Sequence, residues 1–238
     1  MNYIKDIDTF QAEKDSVVTL GKFDGVHRGH RKLISRVLEI AEVQGLEPAV
    51  FTFDVSPQAA LGIRERGLLM TNEERSRFLE ELGIRLLVEC HFSALRDMEA
   101  EAFVQSVLAG KMRARHFVVG PDFRFGKGRR GTPEFLKDMG KSLGFQVDIL
   151  EKEMDRGREI ASSYIREELL EGRIEKVNER LGYPYFITGE VIHGRHLGHK
   201  LGFPTINQVP PEEKILPPRG VYASRIHVEG AVYRGVSN

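Results

Sequence analysis

Short apolar strands alternate with amphipathic helices along the first 150 residues, and this alternation constrains the fold more than any other feature. Residues 17–20 form a β-branched run that stops at Gly21, and residues 30–43 then carry a helical apolar stripe that ends at Gly45. The same alternation continues with predicted strands at 49–53, 84–90, 117–119 and 145–150 and predicted helices at 71–82, 100–108 and 132–143. It predicts a doubly wound α/β fold, a parallel sheet covered on both faces. We expect the glycine turns after strands 17–20 and 117–119 to meet at one sheet edge, where ligands bind in such folds.

The pattern changes near Gly182. From Phe186 onward the chain contains short strand patterns separated by glycine and proline turns, at 186–192, 220–223 and 232–236. Such a pattern is typical of an all-β domain. We therefore predict an α/β domain over residues 1–183 and a partial β-barrel domain over residues 184–238.

Composition and charge narrow the class of protein. The chain has 35 Lys and Arg residues and 35 Asp and Glu residues, so its formal net charge is zero. It therefore lacks the overall positive charge that would favour binding to nucleic acid. The sequence contains no membrane-length apolar run and no secretory h-region, which predicts a cytoplasmic protein without a membrane partner. The single cysteine, Cys90, follows an apolar run and is predicted to be a buried core residue.

The segment 21–30, GKFDGVHRGH, is the strongest candidate for a site that binds phosphate. Gly21 and Gly25 allow the backbone to turn and to approach a ligand closely. The helix that follows presents free N–H groups and the positive end of its dipole, which suit phosphate. His27 and His30 lie near that end, where imidazoles can donate hydrogen bonds to phosphoryl oxygens. This pattern predicts a nucleotidyl transfer from ATP in which the histidines stabilise charge.

Two further segments carry groups suited to a nucleotide or a flat ring. Residues 120–128, GPDFRFGKG, place two aromatic side chains at a strand end, and aromatic faces can stack on an adenine or isoalloxazine ring. Residues 161–166, ASSYIR, place hydroxyls and an arginine at a predicted helix start, which suits an anion. The alternatives are a hydrophobic turn with a solvated charge run and a simple serine N-cap.

In the predicted β region, residues 194–207 read GRHLGHKLGFPTIN. The oxygen atoms of Thr205 and Asn207 are suitable ligands for Mg²⁺. Taken by themselves, however, Gly202 and Pro204 favour a plain turn at this position.

Together these segments resemble the bacterial bifunctional riboflavin kinase/FAD synthetases, within the HxGH nucleotidylyltransferase superfamily. The resemblance implies that His27 and His30 are catalytic and contact the ATP phosphates. It implies the following additional ATP-binding residues: Gly21, Phe23, Asp24, Gly25, Ser162, Ser163 and Arg166. It also implies that the flavin is bound by Asp122, Phe123 and Phe125. The sequence departs from the family's pattern at Ala161, where serine is usual, and at Ser163, where threonine is usual.

The resemblance also implies an activity and its cofactor. The reaction is ATP plus FMN giving FAD and pyrophosphate, joined to phosphorylation of riboflavin by ATP if the second domain is complete. Kinase residues for ATP and Mg²⁺ would be Gly194, Lys200, Gly202, Thr205 and Asn207, with the last two as metal ligands. The family continues past residue 238 with further barrel strands that carry the kinase's catalytic glutamate. We therefore expect either an omitted C-terminus or a lost kinase activity.

Two other classes of function fit part of the sequence. An adenylyl- or cytidylyltransferase for another phosphate acceptor would also use the HxGH turn, but the GFPTIN segment argues against it. A flavin- or nucleotide-binding regulator without turnover is disfavoured by the presence of both His27 and His30. The length and neutral charge disfavour a tRNA synthetase, and the sequence predicts no oligomeric state.

Overall fold

A six-stranded parallel sheet forms the centre of the protein, for which a computed structural model describes residues 1–5, 7–55, 67–192 and 205–238. The strands are β1 (Asn2–Ile4), β2 (Ser16–Leu20), β3 (Glu47–Phe53), β4 (Leu86–Cys90), β5 (Ala114–Val119) and β6 (Gln146–Ile149). Their order is β1-β4-β3-β2-β5-β6, and every neighbouring pair is parallel. The predicted doubly wound α/β fold is confirmed.

Helices occupy the predicted ranges 30–43, 71–82, 100–108 and 132–143 to within three residues at each end, and the short helix at Phe92–Leu95 has no predicted counterpart. The helices are α1 (Arg28–Gln44), α2 (Asn72–Glu81), α3 (Phe92–Leu95), α4 (Ala100–Ala102), which continues as a π-helix over Phe103–Lys111, α5 (Pro133–Leu143), α6 (Ser162–Leu170) and α7 (Ile174–Leu181). Gly45 ends α1 in the left-handed conformation, with φ +68°. Thr71 and Glu74 form the predicted capping box at the start of α2.

Different helices cover the two faces of the sheet. Helices α1 and α2 pack on one face, and the π-helix and α5 pack on the other. Side chains alternate along a strand, so neighbouring residues of β2 lie on opposite faces of the sheet. Val17 packs on the face covered by α1 and α2, and Val18 packs on the face covered by the π-helix and α5. The connections therefore leave β2 and β5 toward opposite sides, which opens a crevice at the carboxyl ends of these two strands.

Strand β1 has no counterpart among the predicted strands. It is only three residues long and pairs in parallel with β4 at the sheet edge, from Asn2 opposite Leu86 to Ile4 opposite Val88. Three residues are too few to give a convincing alternation in the sequence.

Small antiparallel pairs make up the rest of the β structure. They are β7 (Met154–Asp155) with β8 (Arg158–Glu159), β9 (Glu190–Ile192) with β10 (Asn207–Val209), and β11 (Tyr222–Val228) with β12 (Ala231–Ser237). The last two pairs are consistent with a partial barrel. The strand predicted at 186–192 is wrong in its first half: residues 186–189 form no strand, and Phe186 packs instead against the α/β core, with its ring centroid 6.3 Å from that of Phe78. Strand β11 also begins two residues later than predicted and runs five residues further.

A buried ion pair joins the C-terminal region to the α/β region. Lys214 Nζ lies 2.6 Å from Glu74 Oε2 and donates to the Leu69 carbonyl at 2.8 Å, and both charged side chains are buried. The other Glu74 oxygen accepts hydrogen bonds from Thr188 N at 3.1 Å and Thr188 Oγ1 at 2.7 Å. The Glu74 carboxylate, which caps α2, therefore also binds two residues of the C-terminal region. Within the described ranges, no helix is long and apolar enough to cross a membrane.

Candidate active site

The turn between β2 and α1 has an unusual backbone. Phe23, Gly25 and Val26 have positive φ angles of 52°, 77° and 32°. The φ of Gly25 favours glycine, and a Cβ atom there would also lie 2.9 Å from Leu69 Cδ1 and force that side chain to shift. Phe23 and Val26 are fully buried, and this burial can offset the cost of their left-handed conformations.

The two histidines of the turn stack on each other at the start of α1. The ring centroids of His27 and His30 are 3.7 Å apart and the rings are 19° from parallel. His27 Nδ1 accepts a hydrogen bond from the His30 backbone N–H at 3.4 Å, so its neutral ring carries the proton on Nε2. His30 Nδ1 is buried without a hydrogen-bond partner among the described residues. Nε2 is therefore the nitrogen of each ring that remains for a ligand.

Burial keeps both histidines neutral. Burial lowers the pKa of His27 to about 4. Burial also lowers the pKa of His30 well below its usual range, and repulsion from His27, when that ring is protonated, and from Arg75 adds to this effect. A neutral imidazole with its proton on Nε2 is a hydrogen-bond donor, which suits a phosphoryl oxygen.

The lowered pKa of His27 predicts that acid destabilises the fold. Between about pH 6.5, where an unfolded histidine titrates, and about pH 4, the unfolded chain binds a proton that the native chain does not. Stability is therefore fully present above pH 6.5 and decreases as the pH falls. We expect His27 to contribute a loss of about 2 kcal/mol in the free energy of unfolding between pH 7 and pH 5. Urea unfolding at both pH values should show this loss reduced in His27→Asn, and an unchanged loss would contradict the assignment.

A cavity of about 280 Å³ opens beside the histidines, at the carboxyl ends of β2 and β5. Gly21 and Gly120 both line it, which confirms that the two glycine turns meet at one sheet edge. The predicted site residues that line the cavity are Gly21, Phe23, His27, His30, Asp122, Phe123 and Ser162. The structure thus brings members of the predicted ATP and flavin sets into one space.

The two phenylalanines of the second glycine turn have different positions. Phe123 is half-buried and lines the cavity, whereas Phe125 is buried in the core between Phe103 and Phe135. Their rings stack at 5.3 Å, so Phe125 supports Phe123 from behind. Asp122 is exposed at the cavity rim.

A hydrogen-bond network joins the β2–α1 turn to the start of α6. Asp24 is buried and its carboxylate accepts hydrogen bonds from Arg166 and, at 2.9 Å, from Met70 N. Ser162 Oγ donates to the Asp24 carbonyl at 2.8 Å. Asp24, Gly25 and Arg166 do not line the cavity, and Ser163 is exposed at the first turn of α6.

The predicted kinase residues are only partly within the described chain. Gly194, Lys200 and Gly202 lie outside the described residues. Thr205 and Asn207 are exposed, and Asn207 begins β10. The described residues contain no cluster of three His, Cys, Asp or Glu side chains that could hold a metal ion. Two accessible neutral oxygen donors fit a Mg²⁺ ion that receives its other ligands from phosphates and water.

Several residues that line the cavity are not among the predicted site residues. They follow β6 or lie at the end of the β7–β8 segment: Leu150, Glu151, Lys152, Glu153, Glu159 and Ile160. Helix α1 adds Lys32 and Leu33. The carboxyl end of the predicted strand 145–150 was the available signal, since ligands bind at such ends.

Comparison with known proteins agrees with this arrangement. A family model described as FAD synthetase matches residues 9–164, and a model described as riboflavin kinase matches residues 181–238. A Bacillus subtilis protein named bifunctional riboflavin kinase/FMN adenylyltransferase is 38% identical over 233 residues, which cover 96% of this chain and 72% of that protein. An Escherichia coli K12 protein of the same name is 32% identical over 216 residues, which cover 90% of this chain and 69% of that protein.

A solved structure extends the similarity to three dimensions. A Streptococcus pneumoniae protein described as a macrolide-efflux protein superposes with a TM-score of 0.87 at 31% identity, covering 98% of this chain and 77% of that one. The FAD synthetase model matches the predicted α/β region and the riboflavin kinase model matches the predicted β region. The two named relatives are more than 30% identical to this chain, which covers more than two thirds of their length. On these grounds the chain belongs to the family of bifunctional riboflavin kinase/FMN adenylyltransferases.

Proposed function

We propose that this chain transfers the adenylyl group of ATP to the phosphate of FMN, giving FAD and pyrophosphate. The stacked pair of neutral histidines at the start of α1 carries the proposal, because it shares one cavity with Asp122 and Phe123 of the second glycine turn, residues 120–128, which we call the flavin turn. The reaction requires hydrogen-bond donors to the phosphates and an aromatic surface for the flavin ring within a single cavity.

The transfer needs no covalent intermediate on the protein. An oxygen of the FMN phosphate forms a bond to the α-phosphorus of ATP, and the bond from that phosphorus to the bridging oxygen of the β-phosphate breaks. Pyrophosphate leaves with the bonding electron pair. His27 and His30 donate from Nε2 to the phosphoryl oxygens, on which negative charge increases in the transition state.

The triphosphate would lie along the β2–α1 turn and the start of α6. Gly21, Phe23 and Gly25 shape the turn, and Ser162 lines the cavity beside it. Ser163 adds an exposed hydroxyl one residue further along. Arg166 pairs with Asp24 and would reach a phosphate by exchanging that carboxylate for it.

The flavin would occupy the β5 side of the cavity. Phe123 offers its ring to the isoalloxazine, and the stacked ring of Phe125 fixes it in place. Asp122 is placed to contact a polar edge of the flavin at the rim.

Magnesium and the kinase activity belong to the same proposal. Mg²⁺ would enter with ATP and neutralise charge on the triphosphate and on the pyrophosphate. We assign adenylyl transfer to residues 1–183 and riboflavin phosphorylation to the domain that begins at residue 184. In that domain Thr205 and Asn207 are the proposed metal and ATP ligands.

Acceptor choice tests the proposal against the other nucleotidyltransferases. Pyrophosphate release from ATP would be measured with FMN, nicotinamide mononucleotide or 4′-phosphopantetheine as the acceptor. We expect release with FMN and background rates with the other two. Release with another acceptor and none with FMN would replace the proposed function.

A further inference from the structure

Lys152 lies between the two halves of the cavity. It follows β6 and lines the cavity, and its Nζ is 2.8 Å from Asp122 Oδ2 and 2.6 Å from Glu159 Oε2. Asp122 belongs to the flavin turn. Glu159 lies three residues before Ser162, which belongs to the predicted triphosphate-binding segment 161–166. The ammonium therefore lies where an acceptor phosphate would meet the nucleotide.

The two ion pairs of Lys152 are easy to exchange. The Asp122 and Glu159 side chains are 68% and 40% exposed, and ion pairs of exposed groups contribute little stability. A phosphate group carries more charge and more acceptor oxygens than a carboxylate. Hydrogen bonds to Asp122 and Glu159 raise the pKa of Lys152, so the side chain remains a cation at neutral pH.

The proposed reaction brings two anions together and requires such a cation. The buried histidines are neutral and act as donors only. The cationic side chains that line the cavity in the described chain are those of Lys32 and Lys152. Lys32 Nζ donates to the Glu151 backbone carbonyl at 2.9 Å, on the α1 side of the cavity. Lys152 is the cation that lies beside the flavin turn.

We propose, on the basis of the proposed function, that Lys152 binds the phosphate monoester of the acceptor flavin and holds it for attack on the nucleotide. On binding, the ammonium exchanges Asp122 for the phosphate, which also frees Asp122 to contact the flavin. Lys152 thereby distinguishes the phosphorylated flavin from the unphosphorylated one.

Three variants test this role in the full chain. Lys152→Met removes the charge and keeps most of the stem, and Lys152→Arg retains a cation. Lys141→Met is the matched control, since Lys141 is an exposed lysine of α5 that pairs with Asp138. FAD formation would be measured as a function of FMN and of ATP. Lumiflavin, which has the isoalloxazine ring but neither ribityl chain nor phosphate, would be used as an inhibitor competing with FMN.

We expect the KM for FMN to rise about ten- to hundredfold in Lys152→Met, with partial recovery in Lys152→Arg and no change in Lys141→Met. The inhibition constant of lumiflavin should stay unchanged, because lumiflavin has no phosphate to lose. An unchanged KM for FMN would overturn the proposal, and so would a parallel rise for FMN and lumiflavin, which indicates a general distortion of the cavity.

Failure of the proposed function can be told apart from failure of the Lys152 proposal. If the wild-type chain forms no FAD, the proposed function is wrong. Binding titrations of FMN and lumiflavin, followed by flavin fluorescence, then decide on Lys152 alone. A weaker affinity of Lys152→Met for FMN only would support phosphate binding, and equal affinities of variant and wild type would exclude it.

Discussion

Replacing His27 by alanine should lower the rate of FAD formation by about 10²- to 10³-fold. The ring accepts the backbone hydrogen bond of His30 and stacks on its ring, so the substitution removes one donor and loosens the other. We expect the loss mainly in kcat, because the hydrogen bonds strengthen as charge builds on the phosphoryl oxygens. Steady-state assays of FAD formation at saturating ATP and FMN measure the effect.

His30→Ala and the double variant extend this prediction. The two rings act as a unit, so the double variant should lose less than the product of the two single losses. His227→Ala is the matched control, because His227 is exposed on β11. A His27→Ala variant that is folded and retains the control's kcat would contradict the role of the pair.

Replacing Glu74 by glutamine should destabilise the protein by about 3–5 kcal/mol. The substitution leaves Lys214 as a buried cation without its counter-ion. Glutamine also has only one acceptor oxygen, so it cannot accept from both Thr188 and Lys214 as the two carboxylate oxygens do. For a chain of this length the loss corresponds to a decrease of roughly 10 °C in Tm. Thermal unfolding followed by circular dichroism measures it.

The chain offers a close control for this prediction. Glu73, the preceding residue of α2, is exposed and pairs with Arg77, so Glu73→Gln should change Tm by little. Adding Lys214→Met to Glu74→Gln removes the unpaired charge and should recover part of the lost stability. If Glu74→Gln and Glu73→Gln unfold at the same temperature, the ion pair does not hold the two regions together.

The same glutamate illustrates how far local sequence signals extend. The capping box of Thr71 and Glu74 was predictable, because a cap depends on residues three positions apart. The contacts of Glu74 with Thr188 and Lys214 span 114 and 140 residues, and nothing in the local pattern indicates them. Tertiary contacts of this kind determine which partner each carboxylate oxygen binds, and they can be identified only from the folded structure.

The candidate site shows the same limit. The sequence placed the HxGH turn between a strand and a helix and predicted that two glycine turns meet, because both statements follow from parallel α/β topology. It could not separate Phe123 from Phe125, since both are aromatic and two positions apart, although only Phe123 lines the cavity. It also missed Lys152, because a single lysine after a strand carries no pattern.

The proposed function, that this chain joins AMP to FMN, can be tested directly. The direct test incubates the 238-residue chain with ATP, Mg²⁺ and FMN, and separates the flavins by HPLC while pyrophosphate is measured in parallel. We predict FAD and pyrophosphate in equal amounts, both dependent on FMN. A folded chain that forms neither product would contradict the claim.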